Sequence, residues 1–117
     1  MPRVLVIEDE YLVREVIQDA LAEAGFVVSV ASDGLVGIAS ARDEMPDAVI
    51  LDLKMPRMGG REVLQQLKGL NPGLPVFVFS ARGDSRKARA ELAGADGCFT
   101  KSANLDPLIQ AILRALH

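Results

Sequence analysis

The sequence predicts an α/β protein in which five strands and five helices alternate and the strands form one doubly wound parallel sheet. Short apolar runs alternate with segments of helical apolar spacing throughout the 117 residues. Hydrophobic residues make up 50% of the chain but aromatic residues only 4%, so the core must be mainly aliphatic. Strict alternation implies parallel strands, right-handed crossovers and helices on both faces of the sheet.

Apolar runs bounded by turn residues predict the strands. In chain order these are RVLVI, FVVSV, DAVILD, PVFVFS and GCFT, at residues 3–7, 26–30, 47–52, 75–80 and 97–100. The third run is apolar at every position before Asp52, which is typical of a strand buried on both faces. An ionised carboxylate is costly inside such a strand, so we expect Asp52 at its end.

Apolar residues three or four apart predict the helices, at about 12–24, 34–44, 62–68, 84–92 and 104–116. Glycines stand where three of them are expected to end, at Gly25, Gly69 and Gly94. Gly34 and Gly37 weaken the second helix, whereas the last tolerates Pro107 in its first turn.

The composition argues against several classes of function. Thirteen basic and 16 acidic residues give a net charge of −3, which does not support binding to nucleic acid or a membrane surface. The lone Cys98 forms no internal disulfide, and no Cys/His spacing suggests zinc. No apolar run approaches the roughly 18 residues of a membrane span, and none resembles a signal peptide. We therefore expect a cytoplasmic protein.

Polar residues follow the apolar runs at the strand ends. Glu8 and Asp9 follow the first strand, Asp52 ends the third, Ser80 ends the fourth and Lys101 follows the fifth. In an open parallel sheet these ends share one edge, where ligands bind. Three neighbouring carboxylates repel one another unless a positive charge offsets them. Mg²⁺, which prefers oxygen ligands, meets that requirement better than zinc or iron.

Over the whole chain, residues 1–117, the sequence resembles the receiver domain of bacterial two-component response regulators. The matching features are the acid pair Glu8 and Asp9, the segment DLKMPRMGG from Asp52, Ser80 in FSAR and Lys101 after GADGCFT. The resemblance implies one receiver domain with the flavodoxin-like strand order 2-1-3-4-5. It also implies that the chain is not an enzyme in the usual sense, since such domains catalyse only their own phosphotransfer and dephosphorylation.

The resemblance further implies a role for each matching residue. Asp52 would accept a phosphoryl group from a sensor histidine kinase or a phosphotransfer protein. Lys101 and the Ser80 hydroxyl would contact phosphoryl oxygens. An Mg²⁺ or Mn²⁺ ion would be held by Glu8, Asp9, Asp52 and the backbone carbonyl of Lys54. Phosphorylation would then switch binding to a downstream protein at the face formed by the fourth helix, the fifth strand and the last helix.

The sequence departs from the family pattern at two positions. Family members commonly carry an aromatic switch residue three positions before the lysine, where this chain has Cys98. Phe99 cannot replace it, because neighbouring strand residues point to opposite faces. The lysine is typically followed by proline, whereas Lys101 is followed by Ser102. How the switch operates with Cys98 at that position is open.

Two cations, Lys54 and Arg82, stand two residues after Asp52 and Ser80. In the family these positions flank the route of the water that hydrolyses the phosphoryl group. We expect both side chains to modulate the lifetime of that group, through their charge and by blocking access.

Other interpretations remain open from the sequence. A receiver-like interaction module that does not use phosphorylation would fit the two departures, although the intact site residues argue against it. A nucleotide or flavin site would need an amide-rich loop after the first strand, where EDEY is anionic. An aspartate-nucleophile phosphatase would need an acid at the position of Lys54. Asp9 has a simpler candidate role as a helix cap. The chain is expected to be a stand-alone regulator or part of a longer protein.

Overall fold

A computed structural model describes residues 1–53, 55, 58–81, 94–101 and 104–116. Within these ranges the strands are β1 (Arg3–Ile7), β2 (Val27–Ala31), β3 (Ala48–Leu51), β4 (Val76–Ser80) and β5 (Gly97–Thr100). The helices are α1 (Tyr11–Glu23), α2 (Gly34–Asp43), α3 (Gly60–Leu70) and α4 (Asp106–Ala115). The helix predicted at 84–92 lies outside the described residues. None of the described helices is long and apolar enough to cross a membrane.

The five strands form one parallel sheet in the order β2-β1-β3-β4-β5, which confirms the predicted fold class and strand order. All four residues of β3 and all five of β4 are buried. Their sequences are apolar on both faces because helices cover both sides of the sheet.

Two hydrophobic clusters lie on opposite faces of the sheet. In β3, Val49 and Leu51 belong to the cluster beneath α2 and α3, and Ala48 and Ile50 belong to the cluster beneath α1 and α4. This division follows the alternation of side chains along a strand. The central strands thereby contribute side chains to both cores.

Most element boundaries agree with the sequence predictions to within a few residues. Helix α1 ends in a pair of hydrogen bonds, from Gly25 N to Ala22 O and from Phe26 N to Leu21 O, both 3.1 Å. Gly25 has a φ of 97°, the left-handed conformation that this helix ending requires. Helix α3 stops at Leu70, near Gly69 as the sequence predicted.

The two glycines of α2 allow this helix to pack closely. A Cβ atom on Gly37 would overlap Ile7 Cδ1 and would lie 2.7 Å from Ile7 Cγ1. Ile7 is fully buried at the end of β1, so its side chain has little space to move. Both glycines lower helix propensity, but Gly37 permits the contact between α2 and the sheet, and Gly34 permits the contact between α2 and Val63 of α3.

Gly37→Ala is expected to lower the free energy of unfolding by about 1–3 kcal/mol, because overpacking outweighs the gain in helix propensity. Gly69→Ala is the matched control, since a Cβ atom there meets no atom within 4 Å. It should raise stability by about 0.5–1 kcal/mol. Urea denaturation of both variants measures these changes. A Gly37→Ala variant as stable as the wild type would contradict this account of the packing.

Candidate functional site

The candidate site lies at the edge of the sheet where the strands end. Backbone hydrogen bonds continue the ladder beyond the strands and fix the site residues there: Glu8 N to Ala31 O at 3.0 Å, Asp52 N to Ile7 O at 3.0 Å, and Lys101 N to Ser80 O at 2.8 Å. The positions of these residues are therefore set by the sheet itself.

Three carboxylates converge at this edge. Glu8, Asp9 and Asp52 each place one oxygen within 4.8 Å of the others. Glu8 and Asp52 are only 2% and 4% exposed, whereas Asp9 is exposed. We call these three residues the acidic cluster. It is walled by protein on one side and open to solvent on the other, so an ion could enter it.

Lys101 supplies positive charge to the acidic cluster. Its Nζ atom donates a hydrogen bond to Asp52 Oδ2 at 3.3 Å. It also lies 2.7 Å from Glu8 Oε1 and 3.7 Å from Glu10 Oε1 as ionic contacts. Burial by itself lowers the pKa of Lys101, but contact with Glu8 and the charge of Asp52 outweigh burial and raise it. The lysine is therefore a permanent cation at physiological pH.

Glu8 is the most deeply buried of the three acids. Its Oε1 atom contacts only the Lys101 ammonium among the described residues, and its Oε2 atom has no hydrogen-bond partner there. Burial first, and then the neighbouring Asp52, raise the pKa of Glu8 to about 8, although Lys101 acts in the opposite direction. One lysine thus compensates the cluster incompletely. A buried carboxylate that shares one ammonium with a second buried carboxylate, in an oxygen-only set, fits a hard divalent cation.

The glycines after Asp52 shape the backbone beside the cluster. Gly60 is the first residue of α3, and its N–H donates to Leu53 O at 3.1 Å. A Cβ atom at Gly60 would lie 2.9 Å from Leu53 Cα and 3.1 Å from Asp52 O. Glycine at this position lets α3 begin directly against the backbone of Asp52.

Ser80 and Cys98 lie in β4 and β5, the two strands that precede Lys101 in the chain. Ser80 is buried at the end of β4, in register with Thr100 of β5. Cys98 packs against the core beneath α2 and α3, whereas Phe99 packs against the opposite core, with its ring centroid 6.4 Å from that of Phe77. Phe99 therefore cannot fill the space on the Cys98 face, as strand alternation predicted.

The structure brings four of the predicted residues together and leaves others outside its description. Glu8, Asp9, Asp52 and Lys101 form the cluster and its counterion. Lys54, Arg82 and Ser102 lie outside the described residues. Asp9 is not the N-cap of α1, because Glu10 occupies that position and makes no side-chain cap. The carboxylate of Asp9 is thus available to a cation.

Sequence reasoning did not identify two polar groups near the site. Glu10 faces Lys101, and a third acid in the EDE run was the available signal. The Thr100 hydroxyl is buried without a hydrogen-bond partner in the ranges the structure describes. The position of Thr100 opposite Ser80 in the sheet could have been predicted from the strand register.

Comparisons with known proteins agree with this geometry. Residues 4–113 match the model of the response regulator receiver domain family. The chain is 40% identical over 114 residues to the probable transcriptional regulatory protein TcrX of Mycobacterium tuberculosis, covering 97% of this chain and 48% of TcrX. It is 39% identical over 115 residues to the response regulator MprA of the same species, covering 97% and 50%. The chain spans about half the length of these curated relatives.

Solved structures show the same fold. Response regulator protein TrrA from Thermotoga maritima, in complex with Mg²⁺ and BeF, superimposes with a TM-score of 0.92 at 28% identity, covering 99% of this chain and 100% of TrrA. Chemotaxis protein CheY4 from Vibrio cholerae has a TM-score of 0.88 at 26% identity, covering 99% of both chains. The strand order and the acidic edge, together with the match over residues 4–113, establish that this chain belongs to the response regulator receiver domain family of two-component systems.

Proposed function

We propose that residues 1–117 form one receiver domain and that Asp52 is its phosphoacceptor, taking a phosphoryl group from the phosphohistidine of a sensor histidine kinase or a phosphotransfer protein. One observation carries this proposal. Asp52 is buried at the end of β3, hydrogen-bonded to Lys101 and within 4.8 Å of two further carboxylates. A buried carboxylate flanked by acids and one fixed cation suits a nucleophile that works with a metal ion.

The donor set suits Mg²⁺ or Mn²⁺. Asp9 and Asp52 would bind the ion directly, Glu8 directly or through water, and the backbone carbonyl of Lys54 would complete the protein ligands. The exposure of Asp9 and the buried Oε2 atom of Glu8, which has no hydrogen-bond partner among the described residues, support this assignment. When bound, the ion would neutralise negative charge on the phosphoryl oxygens.

The residues of the chain would catalyse the transfer mainly by position and charge. A carboxylate oxygen of Asp52 attacks the phosphorus atom, the bond from phosphorus to the imidazole nitrogen breaks, and an acyl phosphate forms. The Lys101 ammonium would pair with one phosphoryl oxygen, and the Ser80 hydroxyl would donate a hydrogen bond to another. An acyl phosphate hydrolyses readily, so the signal can be switched off.

The output of the switch would be altered binding to a downstream protein at the face that includes β5 and α4. Cys98 lies in β5 where family members commonly have an aromatic residue, and it packs against the core beneath α2 and α3. Its small side chain favours a route of coupling that does not depend on a rotating ring. The same observation keeps an interaction module without phosphorylation as the second candidate function.

Intact mass after incubation with acetyl phosphate and Mg²⁺ tests the phosphoacceptor. We expect one phosphoryl adduct on the wild type, none on Asp52→Asn and none without a divalent metal. Asp19→Asn, which changes an exposed acid of α1, is the matched control and should be modified like the wild type. A wild type without an adduct, or Asp52→Asn with one, would contradict the proposal. The first of these results would favour the interaction module.

Lys54 and Arg82 are proposed to lengthen the life of the phosphoryl group by obstructing the water that hydrolyses it. A Lys54→Ala, Arg82→Ala double variant should lose its phosphoryl group several-fold faster than the wild type, measured by the decay of the adduct after the phosphodonor is removed. An Arg42→Ala, Arg114→Ala variant removes two charges from the last turns of α2 and α4 and should decay at the wild-type rate. Decay of the first variant at that same rate would refute this role.

A further inference from the structure

Arg14 reaches from α1 back to the acidic cluster. Its Nη1 atom donates a hydrogen bond to the backbone carbonyl of Glu8 at 2.9 Å. The guanidinium lies 5.5 Å from the centre of the Tyr11 ring, a cation–π contact that restrains it. Arg14 is half-buried although it is charged.

The hydrogen bond from Arg14 acts on the peptide that precedes Asp9. On one side of Glu8, its N–H donates a hydrogen bond to Ala31 O at 3.0 Å, as part of the sheet ladder. On the other side, its carbonyl is fixed by Arg14. Because a peptide unit is planar, holding the Glu8 carbonyl also sets the direction in which the chain enters Asp9.

Asp9 has little else to hold it in place. It lies between the end of β1 at Ile7 and the start of α1 at Tyr11, outside both regular elements. Its side chain is exposed, so packing does not fix the carboxylate. Glu10 at the N-cap makes no side-chain hydrogen bond that would tighten this turn.

We propose that Arg14 is a positioning residue for the metal site, which orients the Asp9 carboxylate by fixing the Glu8 carbonyl. This inference rests on the proposed function, since that function assigns Asp9 to the metal ion. The charge of Arg14 acts in the opposite direction, because a cation near the cluster repels a second cation. Removing Arg14 removes both effects at once, and the direction of the change in metal affinity shows which of them is larger. Loss of its charge alone would tighten metal binding, whereas loss of its hydrogen bond weakens it.

The test is the dissociation constant for Mn²⁺, measured by electron paramagnetic resonance on the metal-free protein. Arg14→Met should bind Mn²⁺ about tenfold more weakly than the wild type, the size of effect typical of a residue that orients a metal ligand. Arg114→Met removes an equal charge from an exposed site in the last turn of α4 and should bind like the wild type. Asp9→Asn verifies that the ion measured is the one at the acidic cluster, because it should abolish binding.

The possible results separate this inference from the proposed function. If the wild type binds Mn²⁺ and Arg14→Met binds it equally well or more tightly, the role of Arg14 is overturned but the proposed metal site is not. A lower urea midpoint for the metal-free Arg14→Met protein, with an unchanged dissociation constant, would assign Arg14 to general stability and would likewise overturn it. A wild type that binds no Mn²⁺ would overturn the proposed metal site and this inference together.

Discussion

The repulsion between carboxylates at the sheet edge is the constraint on which the rest of the site depends. Glu8 and Asp52 are buried almost completely, and buried charges are stable only when they are compensated. Lys101 compensates them in part from the end of β5, although the carboxylates stand at the ends of β1 and β3. Since β4 lies between β3 and β5, the lysine must reach across one strand. The contact therefore depends on the order of β1, β3, β4 and β5.

The fold provides the rigidity that such a contact needs. The central strands are buried on both faces by aliphatic clusters, and backbone hydrogen bonds extend the ladder to Glu8, Asp52 and Lys101. Close approach of α2 and α3 at Gly37 and Gly60 brings helices against the ends of β1 and β3. The backbone around the acids is thus set by the core. The charged side chains act at the boundary between that core and solvent.

Much of the fold and the site could be predicted because the relevant signals are local. Apolar runs bounded by turn residues defined β1 and β5 to the residue, and a polar residue after each run marked the functional edge. Helix α3 ends at Leu70, near Gly69 as the sequence predicted. Gly69 itself stays helical: Leu67 before it is fully buried, and Lys68 hydrogen-bonds Leu74 O at 2.7 Å and Asp96 Oδ2 at 2.9 Å. These tertiary contacts extend the helix past a residue of low propensity. The hydrogen bond from Arg14 to the Glu8 carbonyl could not be predicted in this way. It joins residues six apart across a loop, and this spacing follows neither the helical nor the strand period.

We propose above that Asp52 takes the phosphoryl group while Lys101 transfers its contact to that group. A crystal structure of the protein with Mg²⁺ and beryllofluoride tests it most directly, because beryllofluoride imitates a phosphoryl group on a carboxylate. The account predicts beryllium bonded to an Asp52 carboxylate oxygen, Mg²⁺ held by Asp9 and Asp52, and Lys101 Nζ against a fluoride. Density that leaves Asp52 unmodified, or a bound beryllofluoride with Lys101 still paired only to Glu8 and Asp52, would contradict it.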